Sequence, residues 1–128
     1  MCLHYIDKVT VPTEGVGWKM LYVCGTTGEL FLPLKGSSKS LPLNVWLNEE
    51  DYREYPKYTL RAEMGEGTYT IGFHVSLSRQ GARTFKRKCM GSPAVLYRVQ
   101  FRDVVASGTQ YKCRTVVARQ IMILRRSR

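Results

Sequence analysis

Acidic side chains nearly vanish from the second part of this chain. No glutamate follows Glu66, and residues 79–128 hold one acid, Asp103. Histidine is scarce, with only His4 and His74. The four cysteines, Cys2, Cys24, Cys89 and Cys113, include no pair at the short spacing of a zinc knuckle, so no metal site is expected. They are expected to be reduced thiols acting as small buried hydrophobes. No apolar run is long enough to span a bilayer, so no membrane association is expected. Residues 1–10 have no apolar stretch of the signal-peptide kind, which points to the cytoplasm. Phosphate-binding glycine loops, a G-x-S-x-G nucleophile turn and an H-E-x-x-H metal helix are all missing, and no cofactor is expected.

What remains is a basic chain of 128 residues with a net charge of +10. That length fits one domain, 1–128, and needs neither metal nor disulfide to fold. The charge is divided unevenly. Residues 1–78 carry seven basic and nine acidic side chains, a net of −2; residues 79–128 carry thirteen and one, a net of +12. A concentration of one sign steers anions to the surface that bears it.

Alternation and punctuation predict mostly strands. Residues 2–11 read as one, with Leu3, Tyr5, Val9 and Val11 in phase. Residues 17–24 are apolar on both faces, as in a central strand. The turn 25–28 returns the chain along residues 29–34 as a hairpin. Residues 35–44 are a polar loop. Asn48 heads Glu49, Glu50 and Asp51, predicting a short helix over about 48–54 that ends before Pro56. Residues 69–77 read as a strand, and Ser78 caps a helix over about 78–88 with Ala82 and Phe85 inward. The chain breaks at Gly91-Ser-Pro93. In 94–105 Val95, Tyr97, Val99 and Phe101 alternate with Leu96, Arg98, Gln100 and Arg102. Ser107-Gly108-Thr109 is taken as a turn, 115–124 as the last strand, and 125–128 as a flexible basic tail. The expected class is α+β: a mostly antiparallel, curved or partly closed sheet with one main helix.

The basic residues form the principal candidate site. Arg79, Arg83, Lys86 and Arg87 line the helix, Arg98 and Arg102 line one face of a strand, and Arg114 and Arg119 follow. A guanidinium presents a planar fork suited to phosphate or carboxylate. Trp46, Tyr52, Tyr55, Tyr58, Tyr69 and Tyr111 are candidates for stacking on bases, or for ordinary packing. His74 is the catalytic candidate. It points away from Phe73 and Val75 and shares parity with Ser76 and Ser78, an arrangement that serves anion binding or proton transfer. The alternative for His74 is a structural hydrogen bond. A second histidine cluster is His4 with Cys2 or Tyr5.

Three stretches, in order, carry a resemblance. They are Met1-Cys-Leu-His-Tyr-Ile-Asp-Lys-Val-Thr10, Gly72-Phe-His-Val-Ser-Leu-Ser-Arg-Gln-Gly-Ala82, and Val99-Gln-Phe-Arg-Asp-Val-Val-Ala-Ser-Gly-Thr109 followed by Val116-Val-Ala-Arg119. Together they resemble a group of small proteins of phages and mobile elements. The resemblance implies a cytoplasmic accessory protein that antagonises host defence, and it brings no active-site residues with it. Gly72-Phe-His-Val-Ser-Leu-Ser, with Ala82 and Phe85, also looks like the strand-then-helix segment of ADP-ribosyltransferase-like folds. The missing late glutamate argues against that activity.

The sequence thus predicts a non-enzymatic binding protein whose partner is anionic: nucleic acid first, then a nucleotide signal or an acidic host protein. The alternatives are a small enzyme acting on nucleotide or nucleic acid through His74, and a structural protein of a phage particle.

Overall fold

The structure is a computed structural model that describes residues 3–8, 12–33, 39–52, 59–91 and 93–125. It is mostly antiparallel sheet with one main helix. Nine strands are assigned: β1 (Tyr5–Ile6), β2 (Gly15–Val23), β3 (Leu30–Phe31), β4 (Trp46–Asn48), β5 (Thr59–Arg61), β6 (Thr68–Thr70), β7 (Phe73–Ser76), β8 (Ala94–Gln110) and β9 (Cys113–Ile123). The helix α1 spans Arg79–Cys89.

The two longest strands organise the rest. β8 and β9 form a hairpin, and the main sheet runs β1-β8-β2-β7-β9-β4, with β3 added to β2. It is not a closed barrel. β2 and β7 share one register pair, Trp18 opposite Ser76, before they part. β2 is central, as its two apolar faces predict, and pairs with β3 as the hairpin read from Gly25–Gly28.

Two apolar clusters cover opposite sides of the sheet. The larger gathers Leu21, Phe73, Val75, Val99, Phe101, Val116, Ile121 and Ile123. The smaller is Leu3, Tyr69, Ala106 and Val117. Each large apolar side chain buried in this way contributes about 1.5–3 kcal/mol.

The helix follows from its cap. Ser78 has extended backbone, and its hydroxyl accepts from the Gly81 N–H at 3.0 Å. Ala82 is buried, and Lys86, Arg87 and Lys88 complement the negative end of the helix dipole. The predicted second helix is a single 3-10 turn, Glu49–Asp51; residues 53–56 lie outside the described residues. Asn48 does not cap it, because its side-chain oxygen accepts from Gln120 instead.

Several boundaries are corrected. The strand read over 69–77 is two, β6 and β7. β6 pairs with β5 in a small separate sheet. The N-terminal strand is reduced to Tyr5–Ile6, with Tyr5 exposed and Leu3 buried; Val9 and Val11 lie outside the described residues. Ser107–Thr109 is strand, not turn. Gly108 serves there for closeness: a Cβ on it would lie 1.9 Å from the Tyr5 carbonyl oxygen, so only glycine lets β1 dock. The turn itself is Tyr111-Lys112, with φ of 50° and 64°. None of the cysteines Cys24, Cys89 and Cys113 is buried, against expectation, and Cys89 is exposed. Cys2, Ser92, residues 35–38 of the polar loop and the tail 126–128 are outside the described residues.

Candidate nucleic-acid interface

The alternation in β8 sets the site. Where Val99 and Phe101 enter the core, Arg98, Gln100 and Arg102 must face the other way. Register then brings neighbours onto that outer face, since directly opposed residues share a side. From β2 come Val16, opposite Gln100, and Trp18, opposite Arg98. On the other flank β9 places Met122 opposite Gln100 and Gln120 opposite Arg102. β4 adds Trp46 opposite Met122, and Asn48 opposite Gln120. The result is a four-strand face, β2-β8-β9-β4, whose reverse side is the core.

This face holds both tryptophans of the chain, and each carries a guanidinium. The Arg79 guanidinium carbon, from the first turn of α1, lies 4.4 Å from the Trp18 ring centre. That of Arg102 lies 3.8 Å from the Trp46 ring centre. Arg102 is further fixed by a relay. Its Nε donates to Gln120 Oε1 at 2.5 Å, and Gln120 Nε2 donates to Asn48 Oδ1 at 2.5 Å.

The helix extends the positive surface. Residues 79, 83 and 86 recur at helical spacing, with 87 alongside, so Arg79, Arg83, Lys86 and Arg87 form a ridge that begins at Trp18. Among the described residues, no carboxylate lies within ion-pair distance of Arg79, Arg83, Lys86, Arg87, Arg98 or Arg102. Six of the eight predicted cations therefore belong to α1 or to the outer face of β8.

The other two are elsewhere. Arg114 holds Asp7 with both arms of its fork, and the Ser107 hydroxyl donates to the same carboxylate at 2.7 Å. The Arg114 hydrogen bond lowers the Asp7 pKa below its ordinary value. Arg114 is thus a clamp joining the β1 segment to the β8–β9 hairpin. Arg119 faces Asp103 at 4.0 Å, the outer limit of an ion pair. The sequence placed both with the free cations because their acidic partners are remote or cross-strand.

His74 faces the smaller apolar cluster. Its Nε2 shares a hydrogen bond with the Tyr69 hydroxyl at 2.9 Å, and that hydroxyl accepts from the Leu3 N–H at 2.8 Å. Burial, with the nearby Lys19 charge, lowers the His74 pKa to about 3; a hydrogen bond to the Gly72 backbone opposes this. The imidazole is therefore neutral at pH 7. The hydroxyls of matching parity do not converge on it. Ser78 caps α1, and Ser76 is buried opposite Trp18. His4 joins Tyr111 and Glu63 rather than Tyr5: its Nδ1 accepts from the Tyr111 N–H at 3.1 Å, and its Nε2 lies 3.4 Å from Glu63.

Of the stacking candidates, Tyr69 is buried and Tyr52 is packed on Phe73; Tyr55 and Tyr58 lie outside the described residues. Tyr111 occupies the β8–β9 turn. Only Trp46 lies on the basic face. Trp18, half-buried, was missed as an aromatic of this face, although its alternation with Gly17 and Lys19 was available. Lys19 was missed as well. It shares parity with Leu21, is buried, and donates from Nζ to the His74 carbonyl at 2.6 Å.

A surface hollow of about 530 Å³ is lined by Arg61, Ala62, Glu63, Gly65, Glu66 and Gly67, away from the cation-bearing face. Its two carboxylates make it a poor anion site. Among the described residues, no group of three or more His, Cys, Asp or Glu side chains is placed to hold a metal, and no helix is long and apolar enough to cross a membrane.

Comparison with protein-family models, curated proteins and solved structures finds no match for this chain.

Proposed function

We propose that this protein binds nucleic acid through the ridge of α1 and the outer face of β8. The observation that carries this reading is the cation ridge of Arg79, Arg83, Lys86 and Arg87, without carboxylate partners among the described residues and continuous with Arg98 across Trp18. Unpaired guanidinium groups at this density repel one another and cost stability. A polyanion relieves that cost. Its phosphates take the forks in bidentate contacts, and counterions are released as they do.

Salt-dependent binding tests the reading. At about 50 mM salt the protein should bind generic oligonucleotides, and affinity should fall by orders of magnitude by about 200 mM. Substituting Arg83→Ala and Arg87→Ala together should reduce the slope of log K against log salt by about 0.7–0.9 for each phosphate that the variant no longer neutralises. Arg114→Ala, which removes a cation already occupied by Asp7, should leave the slope unchanged. No binding at low salt to either single strands or duplex would remove the proposal.

A further inference from the structure

We infer that the β2-β8-β9-β4 face is a stacking platform for unpaired bases, so that the preferred ligand is single-stranded nucleic acid rather than duplex. This rests on the nucleic-acid reading above and names the ligand class of the same site.

Two aromatic rings and two guanidinium planes are arranged in pairs. Arg79 lies on Trp18 and Arg102 on Trp46. Bases stack on aromatic rings and on guanidinium planes alike, and such stacking tolerates any sequence. A duplex hides these base faces inside its own stack. Duplex therefore gains from the cations but not from the rings.

Spacing supports separate bases at the two rings. Trp18 and Trp46 stand three strand positions apart, and their register differs by two residues. At about 4.8 Å between strands and 3.4 Å per residue, the two positions are on the order of 16 Å apart. That exceeds four steps of a stacked strand at about 3.4 Å each. Between the rings lie Arg98 and Gln100, with the Arg102 guanidinium over the Trp46 ring. They offer charge for the connecting phosphates and an amide for base edges.

The Asn48–Gln120–Arg102 relay shows that the Trp46 pair is held in place before ligand arrives. Preorganisation of this kind reduces the side-chain ordering cost of binding. Val16 and Met122 complete the surface with apolar contacts, and Val16 is 42% exposed.

Because both tryptophans lie on this face, intrinsic fluorescence reports on it directly. Titration with an oligothymidine of about 12 nucleotides, within the roughly 4–16 that a single-strand-binding OB fold covers, should quench the emission. Trp46→Ala should weaken single-strand binding about 5- to 150-fold, the range for loss of one stacked base. It should leave the salt slope nearly unchanged and weaken duplex binding far less than single-strand binding. Trp46→Phe, which keeps a ring, should retain most of the affinity, and far-ultraviolet dichroism should establish that each variant folds. If Trp46→Ala does not fold, quenching of the wild-type protein and the comparison of single strand with duplex decide the matter.

Matched oligoribonucleotide and oligodeoxynucleotide arms identify which sugar is preferred; tighter binding of either single strand than of duplex supports the platform. Duplex binding as tight as single-strand binding, or binding without quenching, overturns it and leaves the basic-surface reading intact. Failure of every oligonucleotide to bind at low salt overturns both.

Discussion

The Lys19 ammonium donates to the main-chain carbonyl of His74 at 2.6 Å. The two strands share a single register pair, Trp18 with Ser76, one residue before Lys19. Beyond it β2 departs to pair with β3, while β7 stays in register with β9, His74 opposite Val117. A charged side chain thus ties β2 to β7 where their ladder ends. The arrangement links a buried lysine to a half-buried histidine, and the two affect stability at opposite ends of the pH scale.

Lys19 governs the alkaline side. Burial lowers its pKa to about 8 from an ordinary 10.5. Between these values the unfolded chain holds a proton that the folded chain has released, so stability should rise with pH across that window. The rise is bounded by about 1.4 kcal/mol per pH unit. Below pH 8 both states are protonated and the full cost of burying the charge is present. Lys19→Met removes that cost but leaves the His74 carbonyl without its donor, a loss of about 1–3 kcal/mol. The two effects nearly offset at neutral pH, so the slope is the informative quantity. Urea unfolding from pH 7.5 to 10 should show stability rising in the wild-type protein relative to Lys19→Met. Parallel curves would mean that the ammonium is not buried as described.

His74 governs the acid side. Its folded pKa, about 3, lies below the ordinary 6.5 because burial opposes the charged ring. As pH falls through 6.5 the unfolded chain takes up a proton first, so stability should be lost from there downwards and continue falling towards pH 3. Asp7 contributes in a different window. Its pKa is depressed by the Arg114 hydrogen bond, so the stability it provides is present above its ordinary value of 3.8 and is lost only below it. The difference between the wild-type protein and His74→Gln from pH 7 to 4.5 therefore isolates His74. His74→Gln should flatten this limb, whereas Asp7→Asn should not. If the wild-type midpoint does not change across that range, the imidazole is solvated.

The chemistry of individual elements was more legible in the sequence than their assembly. Ser78 followed by an amphipathic run identified α1, and the alternation in 94–102 identified both faces of β8. Local rules suffice for these because the cap, the burial pattern and the charge all lie within a few residues. The platform was not legible in the same way. Trp18 and Trp46 are 28 positions apart and meet Arg79 and Arg102 only through the registers of β2, β8, β9 and β4. The occupation of Arg114 by Asp7, 107 positions away, was equally hidden. Glycine misled in one place. Gly108 marked a close strand approach rather than a turn, while the real turn contains no glycine.

That turn gives a final expectation. Tyr111 and Lys112 connect β8 to β9 with left-handed backbone at both positions, φ of 50° and 64°. Two-residue hairpins of this form favour asparagine and glycine, because a Cβ in this conformation costs about 1–2 kcal/mol. Tyr111 has compensation. Its N–H donates to His4, its ring meets the His4 ring edge-on at 4.5 Å, and its hydroxyl lies 2.9 Å from the Cys89 thiol. Lys112 is exposed, and no comparable contacts hold it among the described residues. Lys112→Gly should therefore stabilise the protein by about 0.5–1 kcal/mol, the steric relief exceeding the added entropy of the unfolded chain. Tyr111→Gly relieves the same strain but gives up the ring contact with His4 and the hydroxyl contact with Cys89, and should destabilise by about 1–2 kcal/mol. Urea midpoints at constant slope measure both changes. Equal destabilisation by the two variants would show that the turn is unstrained and that its side chains contribute alike.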